Sequence, residues 1–186
     1  MGAIIGVVVL VLVVLIVLWG IATYNSLIRL RTQVEEGFST MDVYLKKRFD
    51  LIPNLVATVK GYAAHEAETL EKVIAARNTA YASGNQEDIA KSEGQLTTTL
   101  KSLFAVAESY PNLKADTQFT DLQNQLGRIE DDIANSRKYY NGTVKIFNTK
   151  IQLFPTNIIA GMGHFAKFAF YEVNDEAQRE NVKVEF

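Results

Sequence analysis

The sequence predicts an all-α protein: an N-terminal transmembrane helix, then an up-and-down four-helix bundle, then an irregular apolar C-terminal tail. Three observations carry that expectation. From Ala3 to Ala22 there is no charged residue, and the run is almost entirely Val, Leu and Ile. After Ser26, apolar residues recur at three- and four-residue spacing, the period of one helix face. Alternating patterns that would mark strands are missing except at residues 181 to 186.

The first segment is read as a retained anchor over residues 1–24. At about 1.5 Å per residue it crosses a hydrocarbon layer of about 30 Å. A secretory signal would carry a basic leading region and an apolar stretch of only about 7 to 15 residues. This segment has neither, although Gly20-Ile21-Ala22 has the small residues of a cleavage site. Trp19 and Tyr24 stand at its C-terminal end, where aromatic rings favour the membrane interface. Arg29 and Arg31 are the basic residues nearest the anchor, and the positive-inside rule places the following domain in the cytoplasm, the alternative being a periplasmic or extracellular domain.

Every charge lies after Ser26, and 19 Lys plus Arg against 21 Asp plus Glu leaves that part nearly neutral. Nucleic acid is therefore not an expected partner, since its binding needs a basic surface. Cysteine is absent, which excludes a disulfide framework, thiolate chemistry and a cysteine zinc site.

The bundle is expected over residues 25–153, as helices at about 25–50, 51–82, 86–110 and 116–153, with the tail at 154–186. Leu27, Leu30, Val34, Phe38, Met41, Leu45 and Phe49 form one stripe. Ile52, Val56, Val59, Ala63, Leu70, Val73, Arg77 and Tyr81 form the next. Ser83-Gly84-Asn85 interrupts the pattern, with Asn85 as N-cap and Glu87 and Asp88 in the first turn. Ile89, Leu96, Leu100, Leu103, Ala107 and Tyr110 make the third stripe, ended by Pro111-Asn112. The fourth, Phe119, Leu122, Leu126, Ile129, Ile133, Tyr140 and Phe147, is close to a heptad and stops before Pro155.

Pro53 directly follows Ile52, the first residue of the second stripe. Proline is cheap in a first helical turn and costs about 3 kcal/mol in a helix interior, so a break with Asp50 as N-cap is the expectation. The stripe nevertheless holds its phase through Pro53, which also suits one long kinked helix.

Tyr24-Asn25, the block from Lys47 to Val56 (KRFDLIPNLV) and Phe154-Pro155-Thr156-Asn157 carry a resemblance. With the preceding anchor, they make the chain similar to the LemA family of bacterial membrane proteins over nearly its whole length. The tail after Gly163 matches little. The resemblance implies a single-pass protein with a four-helix bundle and no established enzymatic activity. It also implies relatives linked to envelope stress and membrane-protease neighbourhoods, with one branch in magnetosome membranes.

The chemistry of the side chains points the same way. His65-Glu66 does not make a zincin, because the position four residues after His65 is Thr69 and the other histidine, His164, lies in a Gly-rich tail. A di-iron bundle needs Glu-x-x-His, and Tyr62 precedes His65 by three. His65 is left as a solvated helix residue or, in the competing reading, the acceptor of a phosphotransfer or signalling module. Lys46, Lys47 and Arg48 are candidates for a partner-binding surface. In an upright bundle they would stand about 33 Å above the anchor, beyond headgroup attraction. Gly2 and Gly6 form a G-x-x-x-G that lets membrane helices approach. Phe165, Phe168, Phe170 and Tyr171 are candidates for oligomer or membrane contact, set against packing within their own subunit.

No convergent acid, base, nucleophile or metal set is visible, so no catalytic residue and no cofactor are expected. The expected function is a non-enzymatic, membrane-anchored scaffold at the bacterial cytoplasmic membrane. It would self-assemble as a homo-oligomer or bind partners, among them a membrane protein such as a protease.

Overall fold

The computed structural model describes residues 1–83 and 86–172, and the regular elements among them are all helical. They are α1 (Gly2–Tyr62), α2 (Ala67–Ala82), α3 (Gln86–Glu108), α4 (Pro111–Lys114), α5 (Thr117–Lys150) and α6 (Thr156–Met162). The expected Asn85 cap, the side chain of Glu87 and the strand-like residues 181 to 186 lie outside the described residues.

The chain divides into two compact units. One takes Met1–Ser39 and Lys138–Phe170, the other Thr40–Arg137 together with Tyr171. In the first unit, the opening part of α1 is long and apolar enough to cross a membrane, and none of its apolar window is buried. Beyond the apolar run, Leu27 and Val34 of α1 are buried, as are Tyr140, Val144 and Phe147 of α5. Gly37 permits the close approach: a Cβ there would stand 3.4 Å from the Tyr140 backbone. Phe38 meets Tyr140 edge-on at 5.9 Å beside it.

After α6 the chain turns back along α5 without regular structure. The buried Asn148 holds it, donating from Nδ2 to the Phe168 carbonyl at 2.8 Å and accepting the Phe168 N–H at 3.0 Å. The Tyr140 hydroxyl donates to the Ala169 carbonyl at 2.9 Å. A segment without helix or ladder thus has backbone groups satisfied by side chains.

In the second unit, four helical stretches turn their apolar stripes inward. Met41, Leu45, Ile52, Leu55 and Val59 of α1 are buried. So are Leu70 and Val73 of α2, Leu96, Leu100 and Leu103 of α3, and Phe119, Leu122, Leu126 and Ile133 of α5. Asp116 caps α5, accepting the Phe119 N–H at 2.8 Å. That bond and the one from the Tyr62 hydroxyl hold the Asp116 carboxyl below its ordinary range, the tyrosine bond being the larger cause.

The helix boundaries correct the sequence reading in one important place. α1 does not break at residues 50/51 but runs through Pro53 to Tyr62, and the turn falls at residues 63 to 66. The apolar run and the first apolar stripe after it lie on one continuous helix. Two physical terms oppose the expected break. Ile52, Leu55 and Val59 are fully buried, and each such side chain is worth about 1.5–3 kcal/mol, more together than the roughly 3 kcal/mol of an interior proline. The carbonyl that Pro53 leaves without its helical donor, that of Phe49, receives an N–H from Arg77 Nε at 3.2 Å. Arg77, which stood oddly in an apolar stripe, is the residue that answers the proline. The last expected helix also ends earlier, at Lys150, and the expected tail contains α6.

Candidate functional site

The most concentrated chemistry lies inside the second unit. Arg48 is 1% exposed. Its Nη1 meets Glu93 Oε2 at 2.5 Å, and its Nη2 reaches Glu130 Oε1 at 2.9 Å and Thr97 Oγ1 at 2.8 Å. Glu93 is buried as well, whereas Glu130 keeps 34% of its side chain exposed. Arg137 joins through its guanidinium, which lies 5.6 Å from the centre of the buried Tyr171 ring. α1, α3 and α5 therefore each contribute charge to one interior cluster.

Its electrostatics follow from burial. Desolvation pushes the Glu93 carboxyl above the ordinary range, more than Arg48 and Arg137 pull it down, and Glu130 adds to the rise. Burial, with the field of Glu93, pushes the Tyr171 hydroxyl up too. Arg48 Nε, Glu93 Oε1 and Arg137 Nε are buried without a hydrogen-bond partner among the described residues. Such a cluster orients helices, and among its carboxylates Glu93 is buried and Glu130 partly exposed. Among the described residues no group of His, Asp and Glu is placed to hold a metal ion. An open groove of about 400 Å³, lined by Val56, Ala64, Leu70 and Ile74 with Lys60 and Glu71 among its polar members, has no convergent acid–base set.

The residues singled out from the sequence fall in different places. Arg48 is interior and does not offer its guanidinium as a surface group, while Lys46 and Lys47 are exposed, the latter with Nζ 5.0 Å from the Tyr44 ring centre. His65 is exposed in the turn after α1, not on a helix. His164 is exposed too, in a left-handed conformation with φ 53°. Gly2 and Gly6 lie on the open surface of the apolar helix. Phe165 packs edge-on against Tyr24 at 5.6 Å and against Phe147 at 6.2 Å, and Phe168 meets Phe147 at 5.3 Å. Tyr171 is buried, and Phe170 alone of the four aromatics is exposed. Those three are thus engaged with their own subunit.

Glu93, Glu130 and Arg137 were not anticipated, yet the stripes contain a trace of them. The third stripe jumps from Ile89 to Leu96 and the fourth from Ile133 to Tyr140. The inward positions so skipped hold Ser92, Glu93, Ser136 and Arg137. Arg48 fills the same phase between Leu45 and Ile52.

Comparison with known proteins gives one family match and several relatives. The family model described as LemA matches residues 37–186. The match runs to the end of the chain, so the tail after Gly163, expected to match little, falls within the matched range. The chain is 24% identical over 156 residues to Protein LemA of Metamycoplasma hominis, covering 81% of this chain and 69% of that protein. It is 24% identical over 175 residues to Magnetosome protein MamQ 2 of Paramagnetospirillum magneticum, covering 80% and 64%. To Magnetosome protein MamQ of Magnetospirillum gryphiswaldense it is 21% identical over 174 residues, again 80% and 64%. The chain thus spans a little under two thirds of the length of these magnetosome relatives.

Proposed function

Since the chain belongs to the LemA family, we propose that it acts without catalysis, as a helical scaffold held at the bacterial cytoplasmic membrane. The observation that carries this reading is the continuity of α1, in which one uninterrupted helix supplies both an unburied apolar span and the core stripe of a packed helical unit. A protein built so places a helical surface at a membrane. The family match and the burial of Arg48 and Glu93 against each other support a role in binding and assembly over one in turnover.

Self-association uses Gly2 and Gly6 in the membrane, where small residues one turn apart let two helices approach closely. Phe170, with Lys46 and Lys47, provides the exposed groups through which further copies or a membrane-protein partner are engaged. Three of the relatives are named as magnetosome proteins, and service to a specialised or stressed membrane is the corresponding role here. The decisive experiment is the mass of the full chain released in lipid nanodiscs. A homo-oligomer is expected, with Gly2→Leu and Gly6→Leu shifting it toward smaller species. A clean monomer at high protein-to-lipid ratio removes the self-assembling scaffold.

A further inference from the structure

Four large apolar side chains on and just before α6 are left more than half exposed by the described residues. Leu153 is 54% exposed, Phe154 80%, Ile158 52% and Met162 75%. They stand on α6 and the turn before it, in a stretch from Lys150 to Lys167 that contains no Asp, Glu or other Lys or Arg. An exposed cluster of this kind on a soluble surface would be an association or aggregation site.

Its position in the first unit says what covers it. α6 packs against α1 where the apolar run ends: a Cβ at Gly20 would meet Ile159 Cδ1 at 3.7 Å, and one at Gly163 would meet the Tyr24 ring at 3.1 Å. Phe165, just after α6, stacks edge-on with Tyr24 at 5.6 Å. The helix that carries the patch thus packs on α1 at Gly20 and Tyr24, the end of the apolar run where Trp19 and Tyr24 mark an interfacial belt. Lys150 and Lys167 close the uncharged stretch at both ends. Lysine at such a border is suited to place its stem along apolar surface and its ammonium among headgroup phosphates.

We propose that α6 and the preceding turn form a second membrane contact, an interfacial foot in which Leu153, Phe154, Ile158 and Met162 enter the headgroup–acyl boundary of the leaflet where α1 emerges. The proposal rests on the reading of α1 as a membrane span. A short apolar helix lying at the boundary needs no length to cross the bilayer, and the anchor supplies the local concentration that a lone foot would lack. The foot fixes the rotation of the first unit about α1, because a second attachment off the helix axis removes free spinning.

The test uses the full chain in vesicles of phosphatidylcholine and phosphatidylglycerol whose acyl chains are brominated near the headgroup. Trp19 is the single tryptophan, so its quenching in the native protein reports the span itself. In a Trp19→Phe background, Phe154→Trp and Met162→Trp read the foot at two points, and Tyr139→Trp, an exposed position of the same unit at the level of Gly37, reads the aqueous surface. Quenched, blue-shifted emission at both foot positions, with red, unquenched emission from Tyr139→Trp, is the expected result. Quenched Trp19 with unquenched foot positions overturns the foot and leaves the anchor standing. Unquenched Trp19 overturns both. Blue-shifted but unquenched emission at the foot puts protein, such as a second copy, on the patch and likewise rejects lipid as its occupant. Two foot positions guard against one substitution disturbing the local fold, which helicity by circular dichroism checks.

Discussion

Arg48 shows how little a charged residue's position in a basic run says about its role. Three consecutive cations precede Phe49, and two face water while the third is withdrawn completely. A buried ion pair is a weak source of net stability but expensive to leave half-made, because the surviving charge has no water to turn to. Arg48→Met should therefore cost about 3–5 kcal/mol, leaving Glu93 stranded, while Arg48→Met combined with Glu93→Leu should recover most of that loss. Chemical denaturation of the four proteins of this cycle measures it, and additive losses would show that the two side chains do not act as a pair. The pH dependence follows from the raised Glu93 carboxyl. Its folded-state value exceeds the ordinary 4.5, so the folded protein holds the proton more tightly than the unfolded chain. Its contribution is complete below the unfolded value and is lost as pH rises through the folded one. The melting temperature of the native protein should thus fall relative to Glu93→Gln as pH is raised from about 4.5 toward neutrality. A difference that widened in the opposite direction would mean that the field of Arg48 outweighs burial.

At the scale of the element, α1 is decided by Pro53 and by what repairs it. Proline removes one donor from the ladder, and the orphaned Phe49 carbonyl finds Arg77 Nε on α2. Pro53→Ala restores the donor and should stabilise the protein, by less than the roughly 3 kcal/mol of an uncompensated interior proline because Arg77 already meets part of the need. Arg77→Met should cost about 1–3 kcal/mol in the native background and distinctly less when Pro53 is Ala, since the carbonyl then has its helical partner. Equal costs in the two backgrounds would separate Arg77 from the proline. The bond has a structural consequence beyond energy: it ties α2 to one particular turn of α1 and so fixes the register of the hairpin that the two helices form.

For the whole molecule the question is which side of the membrane the helical units face. Arg29 and Arg31 follow the apolar run within reach of the positive-inside rule. The chain has no cysteine, so a single introduced one reports cleanly. Asn78, exposed on α2, suits the purpose. Asn78→Cys should resist a membrane-impermeant thiol reagent on intact spheroplasts and react after permeabilisation. Rapid reaction before permeabilisation would place the units outside.

Hydrophobic periodicity was enough to give the all-helical class, the span before Ser26 and most inward-facing residues, because burial of apolar surface is read locally from spacing along one chain. Leu27, Val34, Leu45, Leu100 and Phe147 were all named by their stripes and are all buried. What the stripes could not convey was where a helix stops when two local costs compete, and which polar residues turn inward. The continuity of α1 through Pro53 depends on an N–H delivered by Arg77, 28 positions later in the chain from the carbonyl it serves. The burial of Arg48 depends on Glu93, 45 residues away, and on Glu130 farther still. Tail aromatics were recognised as needing cover, but whether protein or lipid supplies it is a matter of what stands opposite. Phe165 and Phe168 meet Phe147, while Phe154 and Met162 stay largely exposed among the described residues. Local sequence sets which surfaces must leave water. Only the folded chain brings together the distant groups that decide how each one does so.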